Sequence, residues 1–147
     1  MKLWVIAVSH KLPTWAQEAT DEYVKRMPAD CAIQIKELKP DLNPAKEAIK
    51  IREVIPKQSL IIALDERGKD ISTEDLSKEL QGWRQNGKDV CLLIGGADGL
   101  DAELKEEAAY LLRLSSLTLP HAMARVLLVE QLYRAWTILQ NHPYHRI

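Results

Sequence analysis

Apolar, strand-like runs alternate with amphipathic helical segments along the chain, and this alternation limits the fold more than any other feature of the sequence. The runs that predict strands fall at residues 3–8, 32–38, 60–64, 89–94 and 114–119. The segments that predict helices fall at residues 15–27, 44–55, 73–86, 101–112 and 120–140. Five successive strand–helix units are typical of an α/β fold, with a mainly parallel sheet and helices on both faces.

Cap residues mark several of the helix ends. Asn43 before Pro44 predicts a helix start, because the Asn side chain accepts from free N–H groups and Pro suits the first turn. Ser72 or Thr73 predicts the next start, and Gly87 predicts a left-handed stop. The polar residues 65–70 predict a turn after the third strand.

Composition favours one soluble domain that spans residues 1–147. The chain has 147 residues, of which 46% are hydrophobic and 28% charged, as in ordinary globular domains. The apolar runs are much shorter than the roughly 18–20 residues of a membrane span, and Met1 leads directly into a strand-like run. We therefore expect a cytoplasmic protein without membrane contact. Only two cysteines occur, Cys31 and Cys91, which predicts no disulfide framework or zinc site, and the apolar run 90–94 predicts a buried thiol at Cys91.

Positive charge concentrates in the C-terminal third. Residues 113–147 contain four arginines and three histidines against a single acid, Glu130. Such a patch could bind phosphate, because guanidinium groups make paired hydrogen bonds to phosphate oxygens. A helix with solvated or ion-paired arginines explains the same pattern.

The last predicted helix is apolar around most of its circumference. One face of a sheet cannot cover apolar residues that point in so many directions. Residues 120–140 therefore predict either a central core helix or a helix that packs against a second subunit.

The fourth strand ends in a glycine-rich turn, Gly95-Gly96-Ala97-Asp98-Gly99. Ligands of parallel sheets bind beyond the carboxyl ends of the strands, and glycines let the backbone approach a ligand closely. The turn thus indicates a nucleotide-type pocket, although its spacing matches neither a dinucleotide fingerprint nor a P-loop. Glycines needed only for a tight turn are the alternative. His121, at the start of the last helix, is either a structural hydrogen-bonding group or a base.

The C-terminal residues 141–146, Asn-His-Pro-Tyr-His-Arg, carry unusual chemistry for a chain end. Two imidazoles, a phenol and a guanidinium can stack on a base and hold phosphate. Because they follow the last helix, removal of residues 143–147 is expected to disturb little of the core.

Together these motifs resemble a known family. Leu93-Ile94-Gly95-Gly96, residues 115–121 (SSLTLPH), residues 125–127 and 130–136 (RVL and EQLYRAW) and residues 141–146 (NHPYHR) are similar to the bacterial large-subunit rRNA pseudouridine N3-methyltransferases, the RlmH group of the SPOUT class. The resemblance covers nearly the whole chain. It departs at Ser9-His10, where a Gly-Thr-like pair is common, and at Ala97-Asp98, where Pro-Glu is common.

The resemblance implies an S-adenosylmethionine-dependent methyltransferase with a trefoil knot in the C-terminal half. It places the cofactor against backbone groups of eight residues, which are Leu64, Gly95, Gly96, Ser115, Ser116, Leu117, Thr118 and Leu119. A side chain at Gly96 is then expected to collide with the cofactor.

The resemblance also implies a homodimer in which the C-terminal tail of one subunit approaches the cofactor of the other. Tyr144 would orient or stack on the substrate, and His145 is a candidate proton acceptor. Arg134 and Arg146 would contact phosphate or charge on the uracil ring. The implied substrate is N3 of a pseudouridine in 23S rRNA, in the assembled ribosome.

Two other classes of function fit the sequence pattern. A nucleotide-binding regulatory domain could keep the pocket without transfer chemistry, and a structural module could dimerise through the last helix. Cofactor binding and methyl transfer separate these alternatives from the enzyme.

Overall fold

The computed structural model describes residues 1–146 of the chain. Its strands are β1 (Lys2–Val8), β2 (Ala32–Leu38), β3 (Leu60–Asp70), β4 (Val90–Ile94) and β5 (Tyr110–Arg113). Its α-helices are α1 (Thr14–Arg26), α2 (Pro44–Val54), α3 (Thr73–Asn86), α4 (Ala102–Glu107) and α5 (His121–Leu139). A short 3-10 turn, Ala29–Cys31, precedes β2.

Within residues 1–146, the five strands form one parallel sheet in the order β2-β1-β4-β3-β5. The central strand β4 pairs with β1 through Val5 opposite Leu92 and with β3 through Ile62 opposite Leu92. Every residue of β4 is buried, as expected for a strand covered on both faces. The predicted α/β fold with a parallel sheet is confirmed.

Two apolar clusters show that helices cover both faces. One face packs against α1, α3 and α5, with Leu80, Leu128 and Leu132 fully buried. The other face packs against α2 and α4 through Ile51 and Leu104. The side-chain alternation of each strand thus divides the core into two layers.

The cap predictions are confirmed. The Asn43 side chain accepts a hydrogen bond from the Lys46 N–H (2.9 Å). The Ser72 side chain accepts from the Asp75 N–H (3.0 Å), and the Asp75 carboxylate accepts in return from the Ser72 N–H. Gly87 ends α3 with φ +77°.

The fifth strand lies earlier than the sequence predicted. Residues 114–119 form a loop, whereas β5 is Tyr110–Arg113 and α4 stops at Glu107. The apolar residues Leu104, Ala108, Leu111 and Leu112 have helical spacing, which led to the predicted helix over 101–112. The sheet takes the last part of that segment instead, because β3 needs a partner on its outer edge.

The predicted turn at residues 65–70 is also different in the structure. β3 continues to Asp70, but both Leu64 and Lys69 pair with Leu112, so four residues loop out between them. This loop projects from the carboxyl end of the sheet. It can form because Gly68 packs directly on the β5 backbone, where a Cβ would lie 2.6 Å from the Leu112 carbonyl carbon.

Helix α5 lies against α1 and α3, and so fits the predicted central core helix. Leu128, Val129 and Leu132 are fully buried, while Trp136 is half-buried and Met123 is 45% exposed. In residues 1–146, no helix combines the length and the apolar character that a membrane crossing would need.

Gly68 and Gly82 provide a matched pair for a stability prediction. We expect Gly68→Ala to lower the free energy of unfolding by about 1–3 kcal/mol, because its Cβ overlaps the β5 backbone. Gly82→Ala, in the interior of α3 with no atom within 4 Å of the added carbon, should raise it by about 0.5–1 kcal/mol. Chemical denaturation measures both values. Equal effects of the two substitutions would contradict the close contact at Gly68.

Candidate functional site

The loop 65–68 within β3 and the loops after β4 and β5 meet in a cavity of about 840 Å³ at the carboxyl end of the sheet. All eight residues that the resemblance assigns to the cofactor line this cavity, namely Leu64, Gly95, Gly96, Ser115, Ser116, Leu117, Thr118 and Leu119. Ala124, in the second turn of α5, closes another side. The structure therefore brings the whole predicted binding set together in one place.

The glycine turn after β4 is folded back on itself. The Gly99 N–H donates to the Gly96 carbonyl (3.0 Å), and Gly99 has φ +79°. A Cβ at Gly95 would lie 2.6 Å from the Gly99 carbonyl carbon. Glycine at positions 95 and 99 is thus required for the tight turn itself. Residues of this turn also form one wall of the cavity.

The surroundings of Gly96 change one sequence expectation. A Cβ there would lie 3.3 Å from both carboxylate oxygens of Glu47 and 3.3 Å from Val8 Cγ1. Glu47, on α2, is almost fully buried and accepts a hydrogen bond from the Asp41 N–H (3.0 Å). A larger residue at Gly96 would first disturb this packing, so Gly96→Val does not report on the cavity alone.

An ion pair sits in the cavity wall. Lys105 Nζ lies 3.0 Å from Asp65 Oδ2, and Asp65 Oδ1 accepts from the Arg67 N–H (2.8 Å). Burial favours the neutral acid of Asp65, but the hydrogen bonds from the Arg67 N–H and Lys105 outweigh it and lower the pKa of the carboxyl group. The loop 65–68 thereby carries a fixed negative charge beside a cation on α4.

His121 and Arg125 form hydrogen bonds next to the cavity. Arg125 Nη2 lies 3.1 Å from His121 Nε2. Burial lowers the pKa of His121, as does the charge of Arg125, while the Gly95 backbone and Glu37 act in the opposite direction. Because Nε2 already faces the Arg125 guanidinium, the geometry favours the structural alternative for this histidine over the base.

The predicted tail residues form a second cluster, which we call the tail cluster: Glu130, Arg134, Tyr144 and His145. The Tyr144 hydroxyl donates to Glu130 Oε2 (2.9 Å), and Arg134 pairs with the same carboxylate (2.9 Å). The Arg134 guanidinium lies 4.7 Å from the centre of the Tyr144 ring and its Nη1 is 3.4 Å from His145 Nδ1. Arg146 is exposed.

Glu130 is the residue of this cluster that sequence reasoning did not assign. Its carboxylate accepts from Tyr144, Arg134 and Gln131 at once. The available signal was its position as the single acid in an arginine-rich segment. Burial raises the pKa of the Tyr144 hydroxyl, and its contacts with Tyr23 and Glu130 add to the effect, so the phenol remains a donor.

The tail cluster and the cavity are separate within one chain. The cavity touches α5 at Ala124, whereas Arg134 lies ten residues later on the same helix. At about 1.5 Å per residue, the two positions are about 15 Å apart along the helix axis. One chain therefore holds the cofactor residues and the candidate catalytic residues at two different places.

The described part of the chain contains no cluster of potential metal-ligating side chains. No group of three or more His, Cys, Asp or Glu side chains in residues 1–146 could hold a metal ion. Cys31 and Cys91 are buried free thiols, and burial raises the pKa of Cys91 to about 11.

Tyr144 is more tightly packed than its place beyond α5 suggested. Its ring meets Tyr133 edge-on at 4.8 Å between centroids, so removal of the tail costs part of the core. We expect Tyr144→Phe to lower the free energy of unfolding by about 1 kcal/mol, for one lost hydrogen bond. Tyr144→Ala should cost clearly more, because the ring contact is lost as well. Urea denaturation measures both, and equal costs would show that the ring does not pack.

Comparison with known proteins identifies relatives along nearly the full length. The family model described as "Predicted SPOUT methyltransferase" matches residues 1–145. A protein of Polynucleobacter asymbioticus described as ribosomal RNA large subunit methyltransferase H is 68% identical over 146 residues, which cover 99% of each chain. A protein of Paraburkholderia phytofirmans with the same description is 56% identical over 156 residues, covering 100% of each chain.

Solved structures support the fold. The structure of a probable methylase family protein from Haemophilus influenzae Rd KW20 aligns with a TM-score of 0.59 and 16% identity, over 99% of this chain and 70% of that one. At this identity the likeness concerns the fold alone.

Proposed function

This chain belongs to the SPOUT methyltransferase family, and we propose that it transfers a methyl group from S-adenosylmethionine to N3 of a pseudouridine in large-subunit ribosomal RNA. The relatives from Polynucleobacter and Paraburkholderia are both described as ribosomal RNA large subunit methyltransferase H, which supports the substrate class. The observation that carries the proposal is the single cavity lined by all eight residues assigned to the cofactor.

The cavity suits an adenosyl group in size and chemistry. Its volume of about 840 Å³ falls in the range of roughly 300–1,000 Å³ typical of small-molecule sites. Leu64, Leu117 and Leu119 offer apolar surface for a purine, while Ser115 and Thr118 offer hydroxyl groups. The loop 115–119 lies outside helices and strands, so sheet and helix hydrogen bonding does not use its backbone groups.

When bound, S-adenosylmethionine supplies an activated methyl group on a sulfonium. The chain must then bring the base nitrogen into line with that group and accept the N3 proton. Orientation alone can contribute about 7–11 kcal/mol to such a displacement. Tyr144 would stack on or orient the base, His145 would accept the proton, and Arg134 and Arg146 would hold phosphate or charge on the uracil ring.

We further propose that the enzyme is a homodimer with sites shared between subunits. The tail cluster lies about 15 Å along α5 from the cavity of its own chain, so a second copy would bring a tail to each cavity. Exposed apolar residues at the starts of α1 and α5, Trp15 (51% exposed) and Met123 (45% exposed), offer surface for such a contact.

The proposed setting is the cytoplasm and the assembled ribosome. A single domain of 147 residues has little surface for binding RNA by itself. A folded rRNA element on a ribosomal surface would supply the additional contacts.

Mass spectrometry of 23S rRNA tests the function directly. Ribosomes from cells that lack the gene should lack one methyl group on a pseudouridine, and purified protein with labelled S-adenosylmethionine should restore it. An unchanged modification pattern would refute the enzyme. Cofactor binding without transfer would then favour a regulatory domain, and no binding would favour a structural module.

A cavity-filling substitution tests the cofactor site. Ala124 lines the cavity from α5, and Ala124→Leu should weaken S-adenosylmethionine binding by about ten- to a hundredfold, since overpacking costs about 1–3 kcal/mol. Ala102→Leu places the same side chain at the exposed start of α4, outside the cavity, and serves as the control. Isothermal calorimetry measures both. Unchanged affinity in a folded Ala124→Leu protein would place the cofactor elsewhere.

Mixed dimers test the shared site. Removal of residues 145–147 takes away His145 and Arg146 but keeps Tyr144 in its contact with Tyr133. A truncated subunit paired with an Ala124→Leu subunit retains one complete site, formed by the cavity of the first and the tail of the second. At a cofactor concentration near the wild-type Kd, we expect this heterodimer to show clearly more methyl transfer than either parent homodimer, in an assay of the purified species. Absence of recovery in a verified heterodimer would show that each tail serves its own subunit.

A further inference from the structure

The buried guanidinium of Arg125 links α5 to the ends of β1 and β2, two strands that do not line the cavity. Arg125, on α5, is 1% exposed. Its Nη1 donates to Glu37 Oε1 at the end of β2 (2.7 Å), and its Nη2 donates to Ser9 Oγ just after β1 (2.6 Å). The same Nη2 lies 3.1 Å from His121 Nε2. One side chain thus contacts two strand ends and the first residue of α5.

His121 extends these contacts to the cavity. Its Nε2 faces Arg125, and the backbone of Gly95, the first residue of the glycine turn, lies close enough to the ring to raise the pKa of His121. His121 begins α5 directly after the loop 115–119 and Pro120. Two of the three loops that line the cavity are therefore attached to the Arg125 contacts.

Arginine is specifically suited to this position. Its planar fork can serve acceptors in different directions at the same time, whereas lysine has one nitrogen and cannot span them. A charge this deeply buried must be paired and hydrogen-bonded to be stable. Both Nη groups of Arg125 have partners, although its buried Nε has none. Such hydrogen-bonded support is what a preorganised binding site requires.

We propose that Arg125 and His121 are positioning residues, which hold the glycine turn and the loop 115–119 in the arrangement that accepts the cofactor. The inference rests on the proposed function for the identity of that cofactor. The His121 ring lies between the Arg125 guanidinium and the Gly95 backbone, so His121 acts through these contacts and takes no proton from the substrate.

Hydrogen exchange of the cofactor-free protein tests the positioning directly. Arg125→Lys keeps the charge opposite Glu37 but loses the two separate Nη donors of the guanidinium. His121→Leu removes the polar contacts of the ring with Arg125 and the Gly95 backbone. We expect amide exchange of residues 95–99 and 115–119 to become about tenfold faster in both variants, as for the loss of one buried hydrogen bond. Arg84→Lys is the matched control. Arg84 lies on α3 and forms an ion pair with Asp30 of the 3-10 turn, so this substitution should leave amide exchange in the two segments unchanged.

A conservative variant separates positioning from general loss of stability. His121→Asn retains a donor near the Gly95 backbone but not the contact with Arg125, and it should restore slow exchange in residues 95–99. Should Arg125→Lys fail to fold, His121→Leu and Ser9→Ala still test the network, since neither removes the buried charge. Wild-type exchange rates in folded His121→Leu would overturn the proposal.

Calorimetry connects the network to the cofactor. We expect the Kd for S-adenosylmethionine to rise about tenfold in His121→Leu, with a corresponding rise in the cofactor KM and a smaller change in kcat. An unchanged Kd and KM would overturn the proposal. Failure of the wild-type protein to bind S-adenosylmethionine would instead refute the proposed function, and the exchange rates would still decide whether the network positions the two loops.

Discussion

The pairing of β4 with β1 on one side and β3 on the other fixes the place of the glycine turn and of the cavity beside it. Leu92 lies opposite Val5 of β1 and Ile62 of β3, so β4 cannot shift without breaking two ladders. The side-chain period of two adds a further penalty, because a slip of one residue would exchange the two core faces. The glycine turn follows β4 after Ile94, and its position at the centre of the sheet edge is therefore set by the core.

The two neighbours of this turn are fixed by different means. On one side, β3 loops out at residues 65–68 and returns to pair with Leu112 a second time, which Gly68 permits by lying flat on β5. On the other side, Arg125 ties α5 to the ends of β1 and β2 through Ser9 and Glu37. One close steric contact and one buried charge thus flank the glycine turn.

The sequence was informative where a local rule decides the structure. Asn43, Ser72 and Gly87 act through their own backbone neighbours, and the buried run of β4 needs no knowledge of its partners to be identified. Residues 104–112 were different, because the same apolar spacing suits a helix and the edge strand β5, and the free edge of β3 decided between them. The loop 65–68 depends on register between distant segments, which a single sequence does not contain. The cofactor residues were identified through the family resemblance, and the trefoil knot that it implies stays a prediction.

The tail cluster is already ordered by contacts within its own chain, at a distance from the cavity of that chain. Arg134 is already paired with Glu130, and Tyr144 donates to the same carboxylate. A phosphate that approaches Arg134 must compete with its ion pair to Glu130. These two residues are four apart on one helix, so their side chains are already neighbours. Arg134 can keep this pair and still present its remaining N–H groups, because guanidinium has five donors. The pairing therefore orients Arg134 and the Tyr144 ring before any substrate arrives, and what the chain then lacks is a cavity within reach of them. In the proposed homodimer a second copy of the chain would supply that cavity, and the separation of about 15 Å along α5 would then be a reason for assembly.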